Sequence, residues 1–215
     1  SLLYHTWRYL ALFSVRYCPK YYPAFIRHSE KTYLQIRKTI RPFLKRDMDV
    51  LELACGTGQL SVPLSPYVRT WEATDFSPEM VKQAKKQLHT SRLHFSVQDA
   101  TKLPYGPESF DAVVISNALH IMPQPEKALS EAWRVLKPGG FLFTPTFVWG
   151  NGRWARFRLW VMGLSGFHVY HSWNAGELMA YLSEHGYTIV CHQLFGSKFT
   201  PLCCLIAQKP PLDRL

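Results

Sequence analysis

From residue 50 onward the chain alternates short apolar runs with helical patterns, and few folds accommodate that order. Runs at 50–54, 70–74, 93–98, 112–115 and 141–146 read as buried strands, with helices expected over 59–64, 78–88, 126–136 and 176–185. Strands that alternate with helices pair in parallel, and the helices cover both faces of the sheet. The last two runs, 187–194 and 202–208, leave too few residues between them for a crossover helix, so they must pair antiparallel. Local punctuation agrees. Ser77 is placed to cap the helix that Pro78 opens, and Lys137-Pro138-Gly139-Gly140 reads as a helix stop. The expected fold is α/β: a mostly parallel, seven-stranded sheet with a terminal antiparallel hairpin.

A chain of 215 residues, 47% of them apolar, suffices for one such domain. No apolar run approaches the ~20 residues of a membrane-spanning helix. Five cysteines without a C-x-x-C pair argue against a disulfide framework or zinc ribbon and fit a reduced, cytoplasmic setting. No cluster of His, Asp and Glu has the spacing of metal ligands, so no metal is expected. His5, Arg8 and Arg16 interrupt the apolar start, and no secretory signal is read there; the first residue is Ser1, so further residues are expected upstream.

The net charge is +10, and residues 1–46 carry +9 of it, ten bases against the single acid Glu30. The same stretch is dense in aromatics, and Pro19 and Pro23 divide it into segments of roughly 3–17 and 24–44. It reads as a basic, aromatic, helical N-terminal extension before a main domain at 47–215. Three roles fit it: a cap on the domain with solvated bases, an interfacial helix on anionic lipid, or a nucleic-acid footprint. Its division into two segments suits a lid on the acceptor side better than one long basic rod.

The chemistry lies in Glu52-Leu53-Ala54-Cys55-Gly56-Thr57-Gly58, which joins the first strand to a helix. Two glycines permit left-handed backbone and close approach of a ligand to the main chain. Asp75 follows 17 residues after Gly58, at the end of the next strand, where a carboxylate can bind both hydroxyls of a ribose. A nucleoside-containing ligand is implied. Ser61 stands where the dinucleotide fingerprint requires a third glycine, and no phosphate-binding P-loop pattern occurs.

With these blocks the chain resembles the class I, Rossmann-like S-adenosylmethionine-dependent methyltransferases, in particular the small-molecule branch that includes ubiquinone and menaquinone methyltransferases. The resemblance rests on VLELACGTG at 50–58, ATDFSPEM at 73–80, VQDATKL at 97–103 and FDAVVISNALH at 110–120 followed by VLKPGG at 135–140. It implies S-adenosylmethionine as cofactor. Glu52, Ala54, Gly56 and Gly58 would contact its methionine part. Asp75 would hold the ribose, Phe76 and Met80 would lie by the adenine, and Asp99 and Ala100 would bond the adenine edge. Asn117 would sit near the sulfonium.

His120, at the mouth of the implied pocket, is the candidate general base, its ordinary pKa of ~6.5 suiting that task; pocket lining is its other reading. The insertion at 149–173, with His168, Tyr170 and His171, falls where this family builds acceptor pockets. Together with the aromatic extension it predicts a small, apolar or aromatic acceptor, lipid-like in character and reached from a membrane surface. Asn117-Ala118-Leu119-His120 stands where amino-methylating DNA enzymes carry an N-P-P-Y type motif, which weighs against nucleic acid. RNA or protein methylation through the basic extension, and a non-catalytic cofactor-binding activator subunit, are the alternatives.

Overall fold

A computed structural model describes residues 22–87, 90–148, 169–197 and 200–212, with side chains from Glu30 onward. The segment 3–17 and most of the 149–173 insertion, His168 included, lie outside the described residues. The elements are α1 (Tyr22–Ile40), β1 (Asp49–Leu53), α2 (Ser61–Leu64), β2 (Thr70–Asp75), α3 (Pro78–Ala84), β3 (Leu93–Val97), β4 (Phe110–Ile115), α4 (Pro125–Val135), β5 (Leu136–Phe147), α5 (Ala175–Glu184), β6 (Thr188–Ser197) and β7 (Thr200–Gln208). They build one seven-stranded sheet in the order β3-β2-β1-β4-β5-β7-β6. β1 pairs in parallel with both β2 and β4, and only β7 runs against its neighbours, β5 and β6.

The period-two alternation of the strands divides the core into two layers. Leu51 and Leu53 of β1, Val113 and Ile115 of β4, and Cys203 and Leu205 of β7 face Ala128 and Leu129 of α4 and Leu178 and Leu182 of α5. Val50, Ala112, Val114, Cys204 and Ile206 point the other way, onto Ile36 and Ile40 of α1, Leu60 and Leu64 around α2, and Val81 and Ala84 of α3. α1 is thus part of the domain's own core. Arg37 donates to the Gln59 carbonyl at 3.3 Å, and the Thr39 hydroxyl to Gln193 Oε1 of β6 at 2.7 Å.

Two elements differ from expectation. The helix expected to run to residue 88 ends at Ala84. The Lys137-Pro138-Gly139-Gly140 stretch, expected as a stop, is extended chain inside β5: Leu136 pairs with Phe110 and Phe141 with Ala112, with a shift of register between them. A Cβ on Gly140 would come within 2.8 Å of Leu136 Cδ1 and of the Lys137 carbonyl. Glycine here serves close packing in a strand.

Candidate functional site

The strand order reverses between β1 and β4, and at such a switch point the loops leaving the carboxyl ends of neighbouring strands part to form a crevice. The loops after β3, β2, β1 and β4 stand side by side along this edge; they and the elements they join carry the predicted site residues, with Glu52 inside β1, Asp75 at the end of β2 and Met80 in α3. The turn after β1 needs left-handed backbone at Ala54, Gly56 and Gly58, with φ of 56°, 58° and 90°. A Cβ at Gly58 would also press on Val62 Cγ2 at 3.0 Å, whereas one at Gly56 would meet only Gln59 Oε1 at 3.5 Å.

Asp75 holds this turn in place. Its Oδ2 accepts from the Gly56 N–H and its Oδ1 from the Ser77 N–H, each at 2.9 Å, so one carboxylate ties the end of β2 to both flanking loops. Burial raises its pKa above the ordinary carboxylate value, against the pull of the N–H bonds from Ser77 and Gly56. The Phe76 N–H also bonds this carboxylate, and since an ionised carboxylate accepts about four hydrogen bonds, capacity is left for a ligand hydroxyl. Phe76 is half-buried and Met80 likewise, in the first turn of α3, where the Met80 N–H donates to the Ser77 hydroxyl at 3.3 Å.

Asp99 lies in the turn after β3 and is half-buried, as is Ala100 beside it. Its Oδ1 takes both the Thr101 N–H (2.8 Å) and the Thr101 hydroxyl (2.7 Å), while Oδ2 has no partner among the described residues. The loop is clamped from α4: Arg134, paired with Glu131, donates to the Leu103 and Tyr105 carbonyls at 3.1 and 2.7 Å, and Glu131 accepts the Leu103 N–H at 2.7 Å.

Glu52 is placed differently from its neighbours. It is 1% exposed, on the α1–α2 side of β1, and its Oε2 accepts the indole N–H of Trp71 at 3.0 Å. Burial pushes its carboxyl up to about 8, and the charge of Asp75 adds to that rise while the bond from Trp71 opposes it. At neutral pH this group is mostly uncharged.

The turn after β4 concentrates unpaired polarity. Ser116 Oγ, Asn117 Oδ1 and His120 Nδ1 are all buried without a hydrogen-bond partner among the described residues. Asn117 sits at φ 51° and its N–H donates to the Pro145 carbonyl at 2.7 Å. His120 is 2% exposed, its ring edge-on to Phe147 at 6.2 Å between centroids. Burial holds it down to about 4, well below the ordinary imidazole value. Its carbonyl accepts the Tyr170 and His171 N–H groups at 3.0 and 3.1 Å, which fastens the chain leading to α5 against this turn. An orphaned buried polar group costs ~1–3 kcal/mol, so three within five residues are a concentration of unspent hydrogen-bonding capacity.

Sequence reasoning missed Trp71 and Ser116. It also missed a column of rings, in which His171 stacks on Trp173 (5.1 Å), Trp173 on Tyr181 (4.9 Å) and Tyr181 meets His185 (4.5 Å). The four-residue spacing of Tyr181 and His185 on one helix was the available signal. Among the described residues no group of three or more His, Cys, Asp or Glu is arranged to hold a metal, and no helix is long and apolar enough to cross a membrane.

A methyltransferase-domain family model matches residues 51–144. The demethylmenaquinone methyltransferase of Clavibacter sepedonicus is 44% identical over 92 residues, which is 42% of this chain and 38% of that protein. The chain therefore matches well under half the length of that relative. Magnesium protoporphyrin IX methyltransferase from Synechocystis, solved with bound SAH, superposes with a TM-score of 0.67 at 18% identity, over 84% of this chain and 83% of that one. A [4+2]-cyclase superposes with a TM-score of 0.70 at 21% identity, over 85% of this chain and 81% of that one. At such identities the likeness concerns the fold alone, and a cyclase among the neighbours shows that the fold hosts more than one reaction. The domain match and the sequence similarity go further than the fold: this chain carries a class I, S-adenosylmethionine-dependent methyltransferase domain resembling those of the ubiquinone and menaquinone methyltransferases.

Proposed function

We propose that the chain transfers the methyl group of S-adenosylmethionine to a small, apolar or aromatic acceptor by in-line displacement. The observation that carries this reading is the set of unpaired buried groups at Ser116, Asn117 and His120, on the β4 side of the crevice and across the switch point from the glycine turn. On the β1 side, Gly56 and Gly58 with Ala54 leave the main chain open to the methionine part, Glu52 lies beneath them, and Asp75 has lone pairs left for ribose hydroxyls. Phe76 and Met80 would flank the adenine, and Asp99, whose Oδ2 has no partner among the described residues, would with Ala100 meet its edge. The residues present fit the cofactor. Bound there, S-adenosylmethionine supplies an activated methyl group on a sulfonium.

The protein's part is to hold the acceptor atom in line with the methyl group, and positioning of this kind contributes up to ~7–11 kcal/mol. Asn117 and His120 are the groups placed for it. His120, uncharged at neutral pH, works as a fixed hydrogen-bond acceptor that orients a polar hydrogen of the acceptor molecule; a base of such low affinity for protons stores none in the resting enzyme. The apolar character of the acceptor follows from the surroundings, namely Phe147, Leu119 and the described stretch from Tyr170 to Trp173. The relatives' name makes a demethylated quinone, supplied in its reduced hydroquinone form, whose electron-rich ring can attack the methyl group and whose hydroxyl hydrogens His120 can accept, the first acceptor to assay.

Transfer of labelled methyl to that quinone, and in parallel to cell extract fractionated into lipid, small-molecule, RNA and protein pools, tests the reading. Label in the lipid or small-molecule pool is expected. Label in RNA or protein alone would move the acceptor to the basic extension, and no label despite intact cofactor binding would leave a non-catalytic activator subunit.

A further inference from the structure

We propose that the outward face of α1 docks on an anionic lipid surface, with Lys31, Leu34 and Lys38 on the contact line and Arg41, Lys45 and Arg46 beyond it. The helix has a defined inner side, since Ile36 and Ile40 are fully buried and Tyr33 and Arg37 half-buried. At 100° per residue, Lys31, Leu34 and Lys38 fall on the side turned away from these, and all three are exposed, as is Arg41 in the 3-10 turn that follows the helix. The only acid between residues 22 and 46 is Glu30, and Arg37 has already taken it at 2.5 Å. Lys31, Lys38, Arg41, Lys45 and Arg46 are therefore exposed bases with no ion pair among the described residues.

Two apolar features select lipid over nucleic acid. Leu34 is 45% exposed in the middle of the basic line, a place where a phosphate-tracking surface has no use for it and an interfacial helix does. A single-strand binding surface needs free aromatic faces for the bases. The rings here are engaged: Tyr33 and Phe43 pack against the core, Phe43 edge-on to Phe141 and Phe143, and the face of Tyr67 is covered by the Arg41 guanidinium at 3.9 Å. Between residues 31 and 46 the exposed side chains are five bases, Leu34, Gln35 and Pro42, beside the rim of Tyr67, a mixture that complements anionic headgroups above an acyl layer. As the route by which an apolar acceptor reaches the crevice, this docking rests on the function proposed above; as a binding event it does not.

The test is sedimentation of the full chain with phosphatidylcholine vesicles, plain or containing about a third phosphatidylserine. Binding to the anionic vesicles only is expected, lost at high salt. Each base at such a surface contributes about five-fold to partitioning, so the K31E/K38E double variant is expected to bind at least ten-fold more weakly, and Leu34→Ser several-fold more weakly. Both variants lie away from the crevice and should bind S-adenosylmethionine with unchanged affinity, which reports that they fold. Undiminished vesicle binding by K31E/K38E, or equal binding to neutral vesicles, overturns the proposal. So does tighter binding of a single-stranded RNA oligonucleotide that the same substitutions abolish. A chain that docks on vesicles and transfers no methyl group sinks the function proposed above and leaves the docking standing.

Discussion

The indole N–H of Trp71, on β2, donates to Oε2 of Glu52, on β1, in a layer from which water is excluded directly beneath the glycine turn. A carboxyl so placed is more stable protonated, and its folded-state pKa of about 8 stands above the ~4.5 of the unfolded chain. The folded state then binds the extra proton between those values, so the contribution of Glu52 to stability is fully present below ~4.5 and is lost as pH rises through about 8. Glu52→Gln keeps an oxygen for Trp71 and removes the titration. Melting curves of the two proteins should agree near pH 5 and separate toward pH 9, with the variant the more stable. Parallel curves would mean that Glu52 is ionised in the fold.

Trp71→Phe removes the donor and leaves the carboxyl. A buried acceptor loses its partner and a small cavity opens, together about 2–4 kcal/mol by urea denaturation. The charged form of Glu52 loses its hydrogen bond, so the carboxyl holds its proton to higher pH still. If the cationic cofactor is drawn by the ionised form, its affinity at neutral pH should fall several-fold in Trp71→Phe and recover as pH is raised. Calorimetric titration at two pH values checks this.

At Asp75 the two carboxylate oxygens serve two loops, and a carboxamide, with one oxygen and one NH₂ group, cannot replace them both. In Asp75→Asn that NH₂ group must face the N–H of either Gly56 or Ser77. One charge-assisted bond is lost and two donors confront each other, so a loss of ~1–3 kcal/mol and cofactor binding at least 10-fold weaker are expected. An unchanged dissociation constant would show that the ribose is held elsewhere.

Removal of residues 1–44 strips Ile36, Ile40 and Leu44 from the core along with the Arg37 bond to Gln59, so that protein should fail to fold rather than lose one activity. The point substitution Ile40→Ala measures the same dependence gently. It should cost about 2–5 kcal/mol, and a loss below ~1 kcal/mol would mean that α1 is an appendage.

What could be read from the sequence, and what could not, follows from the range of the interactions. The glycine turn, the cap at Ser77 and the alternation of 112–115 are local chemistry, and they place each strand end and its loop without a partner in view. Parallel order then sets those loops along one edge, which is why Asp75, Asp99 and Asn117 were legible as neighbours. The helix does stop before Lys137, as Pro138, Gly139 and Gly140 signal locally, but β5 begins at Leu136 rather than Phe141, because pairing with Phe110 and the bonds between Gly139, Gly140 and Lys209 hold 136–140 in the strand. Glu52 gave no sign of its uncharged state either, since that depends on Trp71 one strand away and on the helices that seal the layer.

His120 offers the sharpest separation of stability from function. Its ring is buried against Phe147 with Nδ1 unpaired, an arrangement that lowers stability by ~1–3 kcal/mol if no ligand completes it. Because its folded pKa of about 4 lies below the ~6.5 of the unfolded chain, the unfolded state binds the extra proton, and stability should fall as pH drops from ~6.5 toward 4. His120→Phe removes both liabilities. The variant should melt at the same or higher temperature than the parent, lose that acid limb of the stability curve, and keep its affinity for S-adenosylmethionine. Turnover should nevertheless fall by ten-fold or more, because the acceptor molecule loses the atom that orients it. A pocket-lining histidine predicts something else: turnover preserved in Phe, or lost only in step with stability. Restoration by His120→Gln, which returns a neutral acceptor but no base, would distinguish orientation from proton abstraction.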